Sequence, residues 1–168
     1  GSTTTGQHNV AVGYYANYGN VSGDYNVTMG LQAGRWTTGS NNTALGYQSM
    51  FGLSGQSSAS NNTAVGSQSL FTNTTGDKNT AVGHEALTAN TSGARNTAVG
   101  SVSLQSNTTG VDNTALGRGT LSNNVSGAQN TAIGKSALEV NIASNNTAVG
   151  HQSLDANTSG ANNTAVGQ

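Results

Sequence analysis

The apolar and polar positions of this chain recur in one short phrase, Asn-x-Ala/Thr-aliphatic-Gly, which first covers residues 9–13 and last covers residues 163–167. The phrase occurs ten times, and its closing glycines are residues 13, 30, 46, 66, 83, 100, 117, 134, 150 and 167. Their spacing is seventeen residues, with sixteen twice and twenty once. A period this short holds one supersecondary unit, which predicts a solenoid whose coils each contact only their neighbours.

Within each repeat the Thr-Ala-Val-Gly segment alternates and is rich in β-branched residues, which predicts a strand. A second segment, residues 85–88 or 152–155, is interpreted as a second strand. The glycines that end the Asn-Thr-Thr-Gly phrases are expected to supply positive φ for tight turns. Those glycines are residues 23, 39, 76, 93, 110, 127 and 160.

Seventeen residues cannot hold the paired helices of helical arrays, which need about 33 to 47. The chain is therefore expected to be all-β, a parallel β-solenoid of about ten coils and one domain over residues 1–168. With strands about 4.8 Å apart, ten coils make a rod about 45–50 Å long. Residues 51–60 lengthen one repeat by three residues and are predicted to bulge from the rod as an insertion.

The alternation places an apolar column on both sides of the strand, because Ala81 points to one side while Thr80 and Val82 point to the other. A narrow solenoid has one interior, so one column fills it with the repeated leucines. The other column forms an outward apolar stripe, which is typical of a subunit interface. The alternative is a monomer in which Val packs inside and Ala lies outside. The predicted interface residues are Val65, Val82, Val99, Leu116, Ile133 and Val149.

Composition narrows the function classes. Charged residues make up 7% of the chain, the net charge is −1 and cysteine is absent, so no nucleic-acid partner, disulfide or thiolate metal site is expected. No apolar run is long enough for a membrane span and no export leader is visible in these residues. The histidines 8, 84 and 151 lie in distant repeats, and the carboxylates lack the spacing of glycosidase pairs. We expect no enzyme, no cofactor and no metal.

The Asn-x-Ala-aliphatic-Gly phrase, in phase across nearly the whole chain, resembles the head repeats of YadA-like trimeric autotransporter adhesins. It is similar also to the NTAVG repeats of bacterial and phage tail-fibre-type proteins. The resemblance implies a homotrimer of left-handed parallel β-rolls, displayed outside the cell on a cell or virion surface and used for attachment to a glycan or protein receptor. Adhesin heads usually repeat near fourteen residues, and neither a membrane anchor nor a chaperone domain is present here.

Three features compete as binding sites, namely the aromatic residues, a row of basic residues and a threonine ladder. All aromatic residues lie in the first 71 positions, and Tyr14, Tyr15, Tyr18, Trp36 and Tyr47 are candidate glycan contacts. Alternatively, these rings cap the open end of the solenoid or pack between subunits. The residues Arg118, Lys135 and His151 each follow a closing glycine, so they are expected to stack as an anion-binding stripe or to be ordinary solvated surface. The same phase predicts a surface pair between Arg95 and Asp112.

A threonine ladder supports a rival function, ice binding on a flat solenoid face. It comprises threonines 43, 63, 80, 97, 114, 131, 147 and 164. The residue two positions on is Val, Leu or Ile rather than Thr, and a second threonine row is interrupted by Val125. Stacked asparagine and threonine side chains also have a structural use, because they hydrogen-bond from coil to coil.

Overall fold

The computed structural model describes residues 5–168, which form a parallel β-solenoid with no helix. Ten strands of three residues each stack in chain order into one sheet, and nine turns of the solenoid join them. The strands are β1 (Val10–Val12), β2 (Val27–Met29), β3 (Thr43–Leu45), β4 (Thr63–Val65), β5 (Thr80–Val82), β6 (Thr97–Val99), β7 (Thr114–Leu116), β8 (Thr131–Ile133), β9 (Thr147–Val149) and β10 (Thr164–Val166). The predicted all-β parallel solenoid is confirmed.

The register of the sheet follows the repeat. Each strand pairs in parallel with the strand of the next coil, so that Thr80 faces Thr97, Ala81 faces Ala98 and Val82 faces Val99. The same register continues across the length changes, because β3 and β4 still pair Ala44 with Ala64 although twenty residues separate them. Like residues therefore stack on like residues along the whole rod.

The interior is filled by two columns of side chains. The alanines at the centres of β3 to β9 are almost fully buried, and the leucines or methionine opposite them are buried too, except that Leu154 is partly buried. Ala81 and Leu87, for example, are each 0% exposed. The interior between them is narrow, so a small side chain on the strand and a large one on the opposite wall fill it. Val82 and its equivalents therefore lie outside.

The opposite wall is not a strand, and the prediction of a second strand at residues 85–88 and 152–155 is wrong. Glu85 and Leu87 have φ of 56° and 53°, and Gln152 and Leu154 repeat this pattern. The backbone amides consequently donate in both directions along the rod. The Glu85 N–H donates to Ser67 O in the preceding coil, at 2.9 Å, and the Leu87 N–H donates to Ser103 O in the following coil, at 3.0 Å.

The interpretation of the Asn-Thr-Thr-Gly glycines is also wrong. Positive φ occurs at the glycines that close the strands, such as Gly117 at 135°, and not at Gly76 or its equivalents. At Gly76 a Cβ would lie 2.6 Å from Asn73 Oδ1 and 2.7 Å from Asn90 Nδ2. Glycine is required there because the carbonyl oxygen of Gly93 in the next coil and the buried asparagine amides all approach the backbone closely.

Buried asparagines hold the coils together in two ladders. In the first, the Oδ1 of each strand-preceding asparagine accepts the backbone N–H of the same residue one coil later, as Asn96 Oδ1 does from Asn113 N at 3.0 Å. In the second, Asn107 Nδ2 donates to Asn90 Oδ1 at 3.0 Å. The expected structural use of asparagine is thus confirmed, and these amides are part of the core.

Candidate binding surfaces

The outward face of the sheet carries alternating rows of threonine and aliphatic side chains. We call this surface, formed by the first and third residues of each strand, the strand face. The central alanines of the strands point inward, while their neighbours on either side stay partly exposed. Val99 is 37% exposed and Ile133 is 38% exposed. All six predicted interface residues lie in this outward row, so the structure brings them together as one stripe.

The strand threonines have free hydroxyls. Within residues 5–168 none of the eight threonines of the predicted ladder, from Thr43 to Thr164, donates a side-chain hydrogen bond to the protein. The second threonine row differs, because Thr74 donates to Thr91 O at 2.8 Å and Thr91 donates to Thr108 O at 3.0 Å. The second row is used in holding coils together, whereas the hydroxyls of the strand face are available to an external partner.

The aromatic residues near the N-terminal end form one connected cluster. The ring centroids of Tyr14 and Tyr15 lie 4.1 Å apart, those of Tyr15 and Tyr18 lie 4.9 Å apart, and those of Tyr18 and Trp36 lie 5.7 Å apart. Tyr14 is 67% exposed and Tyr18 is 58% exposed. A hydrogen bond with the Tyr15 side chain raises the pKa of Tyr14 above its ordinary value, which links these two side chains. Four of the five predicted contact residues are thus brought together.

Tyr47 does not join the cluster. It is 47% exposed, but it makes no ring contact with the other aromatic residues in the part of the chain that the structure describes. Its backbone carbonyl accepts the Gln68 N–H at 2.9 Å, which places it in the row that follows the closing glycines. This row is separate from the one that carries Tyr18.

Arg35 is the member of the cluster that residue-by-residue reasoning missed. Its guanidinium carbon lies 4.8 Å from the Tyr15 ring centroid, 4.9 Å from that of Trp36 and 5.6 Å from that of Phe51. The repeat itself predicts that Arg35 lies between aromatic residues, because Tyr18, Arg35 and Phe51 each follow a closing glycine by five residues. Residues in one phase stack, so this row was readable from the sequence.

The irregular stretch 51–60 forms a short exposed turn. Leu53 N donates to Ser57 Oγ at 2.6 Å, and the Gln56 N–H donates to Leu53 O at 3.0 Å. Residues 53–56 are exposed, whereas Ser57 is buried and pairs with Thr37 in a parallel bridge. The extra residues therefore lie outside the rod, and the coil resumes its register at Ser57.

Among the charged side chains, Arg95 and Asp112 form a salt bridge, and three basic residues form an exposed row. Arg95 Nε donates to Asp112 Oδ1 at 2.6 Å and Arg95 Nη2 donates to Oδ2 at 2.9 Å, as the repeat phase predicted. Arg95 lowers the pKa of Asp112 and the carboxylate raises that of Arg95. The predicted anion stripe of Arg118, Lys135 and His151 lies on consecutive coils and is exposed, and no carboxylate pairs with it within residues 5–168.

A search of residues 5–168 finds no group of three or more His, Cys, Asp or Glu side chains arranged to hold a metal ion. In the same residues, no helix has the length and apolar character needed to cross a membrane. The strand face, the aromatic cluster and the row of basic residues are therefore the candidate functional surfaces of the described residues.

Comparison with known proteins names none of these surfaces. No known protein family, characterised protein or solved structure matches the chain significantly. The likeness to trimeric adhesin heads consequently rests on the repeated phrase.

Proposed function

We propose that the chain is a non-enzymatic segment of a surface fibre, a trimeric adhesin head or tail-fibre shaft that works by attachment. The observation that carries the proposal is the strand face, where an apolar row runs from β1 to β10 and a row of free threonine hydroxyls runs from β3 to β10. A continuous partly apolar stripe of this kind is typical of a surface that is covered by another subunit.

The size of the strand face favours three subunits over two. Threonine and valine Cβ atoms two residues apart span about 7 Å, so with their side chains the face is about 10 Å wide and about 45 Å long. A symmetric pair using this face alone would bury about 450 Å² per partner, against about 800 Å² in a standard stable interface. Three left-handed coils around one axis would also cover the flanks of the face, which raises the buried area.

The role of such an assembly is mechanical and multivalent. Hydrogen-bonded asparagine ladders stiffen the rod, and three identical chains present each weak contact three times, so avidity exceeds the affinity of one site. We place the fibre outside the cell, on a cell or virion surface, with a glycan or protein receptor as partner.

The test is the solution mass, measured by light scattering after size exclusion. We expect a mass near three times the 16.7 kDa of the chain. Val99→Asp should lower it, because it places a charge on the stripe that the subunits share. Thr109→Asp is the matched control, since Thr109 is exposed in a turn of the same coil and should leave the mass unchanged. A monomeric wild-type chain would overturn the proposal.

The free threonine hydroxyls support one second candidate, ice binding. They repeat about every 4.8 Å on a flat sheet, and in a monomer nothing would cover them. An ice-recrystallisation assay tests this function, and replacement of Thr97 and Thr114 by lysine should abolish any activity. Both functions need the same face, so a trimer that buries it would exclude ice binding.

A further inference from the structure

Arg35 is a cation without a counter-ion. It is the only lysine or arginine in the first 77 residues, and the ion pairs of residues 5–168 are His84–Glu85 and Arg95–Asp112. The structure thus keeps an unpaired guanidinium in the one part of the rod where all the aromatic residues gather. Ordinary solvated arginines, such as Arg118, have no such surroundings.

The aromatic rings hold this guanidinium in place. Tyr15, Trp36 and Phe51 lie within 5.6 Å of its carbon, and Tyr18 lies at 6.0 Å. Cation–π contacts of this kind act at distances up to about 6 Å from the ring centroid. Because the side chain is half-buried among four rings, its position is fixed before any ligand arrives.

A glycine in the neighbouring coil makes room for the largest ring. A Cβ on Gly19 would overlap the Trp36 ring and would lie 2.9 Å from the Arg35 carbonyl oxygen. Trp36 therefore sits directly against the backbone of the preceding coil. This close packing fixes the ring whose face supports Arg35.

One donor nitrogen of Arg35 is fully buried, and the two terminal nitrogens are not. Nε is buried and has no hydrogen-bond partner in residues 5–168, whereas neither terminal nitrogen is among the buried unpartnered atoms. Arg35 also donates no hydrogen bond to the described protein. The terminal N–H groups are thus open to an external acceptor, and a planar guanidinium matches a carboxylate in a bidentate fork.

We propose that Arg35 with Tyr15, Tyr18 and Trp36 forms a binding site for a carboxylated saccharide. The carboxylate would accept hydrogen bonds from the Arg35 terminal nitrogens, and the apolar face of the sugar ring would pack on the exposed tyrosine rings. A neutral sugar lacks the group that matches the fork, and a small carboxylate lacks the ring that packs on the aromatics. The site deepens the attachment role and rests on the function proposed above.

Trp36 is the single tryptophan, so its fluorescence reports on this site alone. The experiment is a titration of the purified protein at low ionic strength with tetragalacturonate and with an oligosialate, with maltotetraose and acetate as controls. We expect either or both of the acidic oligosaccharides to change the Trp36 emission saturably, at concentrations at least tenfold below either control. Added salt should weaken the binding, because it screens the charge on Arg35.

The variants distinguish three effects: loss of the positive charge, loss of the bidentate hydrogen-bonding geometry and loss of folding. Arg35→Gln should weaken binding at least tenfold, and Arg35→Lys should also weaken it, because an ammonium keeps the charge but not the bidentate geometry. Lys78→Gln, which removes an exposed cation that belongs to neither the aromatic cluster nor the anion stripe, should bind like the wild type. Circular dichroism and thermal unfolding of each variant establish that it is folded, and if Arg35→Gln is not, Arg35→Lys carries the test.

Equal binding of the neutral and acidic oligosaccharides, no binding at all, or unchanged affinity in both Arg35 variants would overturn the site. The solution mass of the same sample is read separately. A trimer that binds no acidic saccharide would leave the fibre proposal standing and remove the site. A monomer that binds through Arg35 would do the reverse.

Discussion

The asparagine ladder makes the strongest prediction about stability, and Asn96 is the residue to change. Its side chain is 0% exposed and lies in the middle of the rod. Asn96 Oδ1 accepts the backbone N–H of Asn113 at 3.0 Å, and Asn96 Nδ2 donates to the carbonyl of Gly110 at 2.8 Å. Asn113 Nδ2 also donates to Asn96 Oδ1 at 3.1 Å, so Asn96→Ala removes three contacts while it keeps a residue compatible with the backbone.

The three broken contacts do not have equal effects, and Asn113 Nδ2 keeps the carbonyl of Gly127 as an acceptor at 2.9 Å. The Gly110 carbonyl also accepts Asn107 Nδ2 at 3.1 Å, so it keeps a partner. The Asn113 N–H has no other acceptor among the described residues, and burying it unpaired costs about 1–3 kcal/mol, with about 1 kcal/mol more for the bond from Nδ2. We therefore expect Asn96→Ala to lower the free energy of unfolding by about 2–4 kcal/mol.

The assay is equilibrium urea unfolding followed by circular dichroism at one fixed protein concentration. Amide hydrogen exchange at Asn113 adds a local measurement, and its protection should fall more than that of amides several coils away. Asn123→Ala is the matched control, because Asn123 is exposed, and we expect a change within about 0.5 kcal/mol. A loss below about 1 kcal/mol in Asn96→Ala with unchanged protection at Asn113 would refute the reasoning.

Three further changes test other parts of the fold. Gly117→Ala should destabilise by at least about 2 kcal/mol in thermal unfolding, because φ is 135° and the new Cβ would lie 2.7 Å from Gly134 O. A stable variant would contradict this. Gln129→Asn should stabilise by several tenths of a kcal/mol in urea unfolding, since Gln129 is exposed at φ 59° and asparagine tolerates that region better. The lowered pKa of Asp112 means that its contribution to stability is present above its unfolded pKa and is lost as the pH falls below about 4. Asp112→Asn should flatten that part of an acid titration, and an unchanged titration would contradict the pairing.

The candidate site shows why some residues were predictable and others were not. Tyr14, Tyr15 and Tyr18 stand close together in the sequence and drew attention as exposed rings. Arg35 has its partners in coils on both sides, so its role depends on stacking across repeats. That stacking follows from the register. It could have been predicted, because Tyr18 and Arg35 each follow a closing glycine by five residues.

Backbone conformation was the least predictable part. Leu87 is excluded from a β-strand by its positive φ alone. Nothing in a leucine side chain favours the left-handed region of φ/ψ space. The left-handed conformation is imposed by the closed path of the coil and by amides that must donate to both neighbouring coils. The role of Gly76 was predicted wrongly for the same reason, since the Gly93 carbonyl and the asparagine amides that surround it are brought together by the fold.

The sequence by itself determined the period, the parallel register and the rod, because a seventeen-residue repeat that places like residues in phase allows each coil to pair only with the next. It could not decide whether Ala81 or Val82 lies inside, since both columns are apolar and alternate with the same period. The tertiary structure decided this through volume. Leu87 occupies the opposite wall, so the narrow interior accepts alanine and leaves valine on the surface, where the proposed subunit contact forms.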